Sequence, residues 1–192
     1  MKGFLKILIL PAAFLIFSGS VDQKPRLTFD GLGAIKIGMT APQAKNLGFK
    51  VSASGPWGEE DSADFIACHY LESAPDFPGV FLMMSEGRVV RIDIDSRGDI
   101  GWQSYSGAKI GMSESDVKAI YGNWLKVSGH PYLGDAGSYL QLNSSNGKYA
   151  MIFETAAKDM SAEALENPGQ EKYVTDFRAG LTDSVGYIEG CA

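Results

Sequence analysis

Histidine and cysteine are scarce in this chain. Two of each in 192 residues exclude a four-ligand Cys/His zinc cage. No H-E-x-x-H, G-x-S-x-G, P-loop or G-x-G-x-x-G occurs, so the usual hydrolase and nucleotide motifs are missing. Positive charge is in deficit: 17 Lys plus Arg stand against 23 Asp plus Glu, a net charge of −6. That balance gives no electrostatic footprint for nucleic acid or anionic lipid. No apolar run reaches the ~20 residues a membrane-crossing helix needs. What remains is the composition of a folded domain, 45% hydrophobic and 11% aromatic, long enough for one large unit or two small ones. No cofactor and no metal is expected.

The first twenty residues read as an address. Lys2 and Lys6 precede an uncharged run, Ile7 to Phe17, and Ser18-Gly19-Ser20 supplies small residues before a cut. Charge, apolar core and small-residue site in that order make a secretory signal peptide over 1–20. Its removal takes away two lysines and moves the net charge to −8. The expected location is therefore periplasmic or secreted, with no integral membrane span after cleavage. In an oxidising compartment Cys68 and Cys191, the only cysteines, are expected to form a disulfide rather than remain two thiols.

The chain also repeats itself. Ala34-Ile35-Lys36-Ile37-Gly38-Met39-Thr40 recurs as Gly107-Ala108-Lys109-Ile110-Gly111-Met112-Ser113. Thr40 and Ser113 are placed to cap short helices, with Gln43 and Asp116 three residues on. Gly48 and Gly122 are placed to end those helices in a left-handed conformation. Period-two alternation then predicts strands at 64–71, 80–84 and 89–95, and again at 138–143, 148–155 and 173–179. Shorter strands are expected at 50–54 and 125–129, and one more at Val185–Ile188. The domains are thus a first unit over 21–100 and a second over 101–192, the latter carrying an insertion at 156–172.

I-x-x-G-M-T followed by a short glycine-terminated helix and a meander resembles the unit of the β-lactamase-inhibitor protein. It also resembles the small outer-membrane assembly lipoproteins of the SmpA/OmlA type. The matching residues are Ile37, Gly38, Met39, Thr40 and Gly48, then Ile110, Gly111, Met112, Ser113 and Gly122. The resemblance implies an α+β fold of two tandem helix-plus-antiparallel-meander units. These would form one extended, concave sheet with helices on one face. It also implies a face that grips a protein partner. There is no cysteine pair within either unit, and no contact residue of the inhibitor carries over.

Alternation assigns Ile66, Cys68, Tyr70, Val90, Ile92, Ile94, Leu140 and Leu142 to the helix side. Phe65, His69, Arg91, Asp93 and Asp95, with Tyr139, Gln141 and Asn143, fall on the other. Aromatics mixed with charges suit a binding face. Two loops add rim residues: Trp57, Glu59, Glu60 and Asp61 in one, His130 and Tyr132 in the other. The expected work is non-catalytic binding of a protein partner in the envelope or outside the cell, as an inhibitor of an enzyme. The alternatives are an envelope assembly factor, or a cell-wall hydrolase using Asp/Glu and His. Asp93-x-Asp95-x-Arg97-Gly98 lacks the final glutamate of a calcium loop, with Ser104 in its place.

Overall fold

The computed structural model describes residues 24–53, 60, 62–72, 74–96, 101–161 and 169–191. The expected signal segment, most of the Trp57 loop and residues 162–168 of the expected insertion lie outside them. The first elements are a small hairpin, β1 (Gly31–Leu32) and β2 (Ile35–Lys36), and the helix α1 (Ala41–Asn46). Next come β3 (Lys50–Val51), α2 (Ala63–Ala67), β4 (His69–Glu72), β5 (Val80–Ser85) and β6 (Arg88–Asp95). Helix α3 (Glu114–Tyr121) leads into β7 (Lys126–His130), β8 (Gly134–Asn143), β9 (Tyr149–Ala157) and β10 (Lys172–Leu181). A short α4 (Thr182–Val185) follows. The fold is α+β, dominated by an antiparallel sheet of order β3-β4-β5-β6-β10-β9-β8-β7. Two four-strand runs therefore meet through their last strands, β6 and β10.

The repeated Gly-Met step has the same backbone task in both places. Gly38 N–H donates to Val89 O at 2.7 Å and Met39 O accepts from Val89 N–H at 2.8 Å. Likewise Gly111 N–H donates to Val174 O at 2.8 Å and Met112 O accepts from Val174 N–H at 2.9 Å. Each motif is clipped to the last strand of its own run. The clip needs a left-handed residue, and Gly38 (φ 89°) and Gly111 (φ 80°) supply it without the steric cost of a Cβ. The following caps differ in detail. Ser113 Oγ accepts from Asp116 N–H at 3.1 Å, whereas Gln43 Oε1 accepts from both the Thr40 N–H and its hydroxyl.

Ala44 of α1 and Val117 of α3 pack in one core with Leu71, Leu82, Ile92, Leu140, Leu142, Met151, Phe153 and Phe177. Both helices therefore cover the same sheet face. Each such large side chain contributes roughly 1.5–3 kcal/mol when fully buried. Glu114, at the start of α3, accepts from Thr155 of β9 at 2.9 Å and pairs with Lys118 at 2.6 Å. Burial opposes its charge, but those partners outweigh burial and hold its pKa below the ordinary value.

Three expectations are corrected. Residues 64–71 are not one strand: Ser62 Oγ accepts from Phe65 N–H at 3.2 Å and starts α2. The strand begins only at His69, so its phase is reversed. His69 and Leu71 are buried, while Tyr70 and Glu72 face the opposite side. In β6, Met83 pairs with Arg91 and Met84 with Val89, leaving Val90 as a bulge. The bulge puts Val89 rather than Val90 in the main core. Finally, 185–188 is no strand. The chain turns through α4 and runs as an irregular strap on the sheet face away from α1 and α3.

Candidate functional site: a groove roofed by the C-terminal strap

The face opposite the helices is not open, because two buried arginines hold residues 182–191 against it. Arg91, on β6, is 4% exposed. Its Nη1 donates to Ser184 O at 2.9 Å and Tyr187 O at 2.7 Å. Its Nε meets Asp93 at 2.9 Å, and its Nη2 donates to Tyr70 Oη at 2.5 Å. Arg178, on β10, is 5% exposed. Its Nε donates to Val185 O at 2.8 Å, its Nη1 pairs with Glu154, and its guanidinium lies over the Tyr139 ring at 5.2 Å. Val185 completes this side by packing with Tyr139, Ala150 and Ile152. At the far end a Cys68–Cys191 disulfide joins the strap to the α2–β4 junction, spanning 123 residues. Closing so long a loop contributes at most about 5 kcal/mol.

Beside the strap lies a groove of about 550 Å³. Tyr70, Glu72, Phe81, Arg91, Asp93, Asp95, Glu154, Asp176 and Arg178 line it from the sheet, and Ile188, Glu189 and Gly190 from the strap. Strand register explains the concentration of acid. Asp95 on β6 stands opposite Asp176 on β10, which stands opposite Glu154 on β9. A bulge between Val174 and Asp176 brings the last pair into line. Like charges directly opposite repel, and the titration of the row reflects it. Burial first, then Asp95 and Glu154, push the Asp176 carboxyl above its ordinary 3.8, against hydrogen bonds from Thr175 and Ser96. The Tyr70 phenol is driven up by burial and by Asp93. Burial works against the Arg178 charge, yet Glu154 and Tyr139 outweigh it and raise its pKa.

A pH dependence follows from Asp176. A carboxyl that titrates higher in the folded than in the unfolded chain favours folding most below 3.8. That contribution is lost as the pH rises through the elevated folded value. Asp176→Asn should therefore melt above the parent protein at pH 7, and the gap should close below pH 3.8. Thermal melts across pH 3 to 7 read this directly, and a gap independent of pH would refute it.

The expected binding residues are dispersed by the fold. Arg91 and Asp93 reach the groove, but Arg91 is consumed by the strap. Tyr139 is buried beneath Arg178 and Val185 and offers no contact surface. Gln141 is half-buried and donates to Asn143 Oδ1 at 2.8 Å. His130 closes β7, with Nε2 3.3 Å from Glu154 Oε2 and its ring edge-on to Tyr139. Tyr132 is 63% exposed, and its hydroxyl donates to Glu189 of the strap. Phe65 and His69 leave the face altogether. They stack on each other at 3.8 Å, with His69 3% exposed, Nδ1 2.7 Å from Phe65 O, and a pKa lowered by burial. They line a separate hollow of about 330 Å³ with Glu60, which pairs with Lys45 at 3.8 Å. Trp57, Glu59 and Asp61 lie outside the described residues.

Sequence reasoning missed Tyr70, Glu154, Asp176, Arg178 and the strap. Asp176 and Arg178 stood inside a correctly placed strand, so their spacing of two was a usable sign that they share a face. Nothing local marked the strap. Among the described residues no helix is long and apolar enough to cross a membrane. The disulfide is compatible with an oxidising, extracytoplasmic location. Compared with known proteins, the chain matches no family model, no curated protein and no solved structure.

Proposed function

We propose that this is an exported, non-catalytic binding protein whose groove takes a basic segment of a protein partner, in the manner of an enzyme inhibitor. The observation that carries the reading is the groove's lining. Arg91 and Arg178 are already matched by Asp93 and Glu154, which leaves Glu72, Asp95, Asp176 and Glu189 as an acidic surplus. Tyr70, Phe81 and Ile188 provide apolar walls for an alkyl or aromatic anchor. A partner cation placed there would relieve the repulsion along the Asp95–Asp176–Glu154 row. Export rests on the leader-like first twenty residues. A duplicated module with a concave face is supported by the shared Gly-Met clips and by the resemblance to inhibitor-type units.

Affinity capture from envelope extract tests the reading. The parent protein should retain a partner in a salt-sensitive way, because groove acids select it. Glu72→Lys and Asp95→Lys should each weaken capture at least about tenfold, the scale of a lost 1.4 kcal/mol contact. Tyr132→Ala, at the rim, should weaken it less. Undiminished capture by both charge reversals would sink the acidic-groove reading.

A hydrolytic reading has one observation in its favour: His130 sits 3.3 Å from Glu154 beside the elevated Asp176. Two carboxyl groups with different proton affinities suit glycoside hydrolysis. Glu154, however, is already held by Arg178. Turnover of cell-wall glycan, abolished by Asp176→Asn, would favour this reading over the first.

A further inference from the structure

We propose that the Cys68–Cys191 disulfide is a redox latch on the groove, and that its reduction releases the strap's last residues and opens the site. The inference rests on the acidic-groove reading only for what then enters.

The strap is held at two ends by different means. At the near end, Ser184 and Val185 are buried, and Arg91 and Arg178 bind the carbonyls of residues 184, 185 and 187. None of those contacts involves sulfur. At the far end, Ile188 and Glu189 are exposed, and both cysteines are half-buried, so an external thiolate can reach the bond. Besides the disulfide, the far end has the exposed hydrogen bond from Tyr132 to Glu189 and the close approach of Gly190 to Tyr70. That approach is so tight that a Cβ on Gly190 would lie 2.5 Å from Tyr70 Oη. Gly190 is therefore seated against the groove wall as long as Cys191 is tied. Segments with few buried contacts open at low cost, so cutting the bond frees 188–191 while the arginines keep 184–187 in place.

The chemistry is a thiol–disulfide exchange with a dithiol donor. One donor thiolate attacks a sulfur of the pair, forming a mixed disulfide and expelling the other cysteine as thiolate. The donor's second thiol then displaces the remaining cysteine. Two electrons and two protons reach the protein, and the donor leaves as its own disulfide.

Hydrogen exchange on the full chain, oxidised and then reduced with dithiothreitol, provides the test. A Cys68→Ser/Cys191→Ser variant serves as a bond-free control. Amides of 188–191 should exchange at least about tenfold faster after reduction and in the variant, with β5, β6, β9 and β10 unchanged. Decalysine, as a defined basic probe, should bind the reduced form at least about fivefold more tightly. Unchanged tail exchange, or loss of protection across the whole sheet, overturns the latch. Equal decalysine affinity in both forms overturns it as a gate. Decalysine binding to neither form counts against the acidic groove itself, while tail exchange still decides the latch.

Discussion

Arg178→Ala is expected to destabilise the protein by about 3–5 kcal/mol, the usual consequence of stripping one partner from a buried ion pair. Three interactions end on this side chain: the Glu154 pair, the hydrogen bond to Val185 O, and the Tyr139 ring beneath the guanidinium. Glu154 would be left with His130 as its remaining partner, in a row that already contains Asp176 and Asp95. For a chain of this size the loss corresponds to a fall in Tm of roughly 10 °C. The double variant Arg178→Met/Glu154→Gln removes both charges and keeps the volume, so it should recover a substantial part of the loss. Chemical denaturation of the two variants decides the matter. Equal destabilisation would mean that the pair is not what Arg178 contributes, and that its hold on the strap is.

Gly180→Ala should be almost as damaging, for a reason that is purely steric. An added Cβ would lie 2.3 Å from Val90 O and 2.7 Å from Arg91 Cα. These are backbone atoms of the neighbouring strand and cannot swing aside. Gly180 pairs with Arg91 beside the Val90 bulge, where the kinked strand presses on β10. Relief requires the β6–β10 seam to part locally, at about 3 kcal/mol, the upper end for overpacking. That seam joins the two four-strand runs, so the damage should be communicated to Arg91 and the strap. A Tm within 2 °C of the parent protein would show that the seam yields more easily than its geometry indicates. Ala at Gly129, where a Cβ meets nothing, is the matched control.

Much of the framework could be read in advance. The two Gly-Met motifs, their hydroxyl caps and the strands at β5, β6, β8, β9 and β10 follow from local rules, because turns, caps and alternation are satisfied within a few residues. The disulfide followed from having two cysteines and a leader-like segment. Errors arose where one residue shifts a whole strand. The Ser62 cap converted Asp64–Ala67 into helix and reversed the faces of His69 and Tyr70. The Val90 bulge moved Val89 into the core. A side-chain period of two makes every such slip change which face is presented.

The sequence by itself determined an acidic α+β chain with a repeated glycine clip and one cysteine pair, since composition, capping and alternation are short-range properties. Tertiary structure alone decided that Asp95, Asp176 and Glu154 form a row and that a ten-residue strap roofs the face expected to be open. The physical reason is that cross-strand register and a buried guanidinium's choice of acceptors are set between segments about ninety residues apart. Local pattern carries no record of such partners.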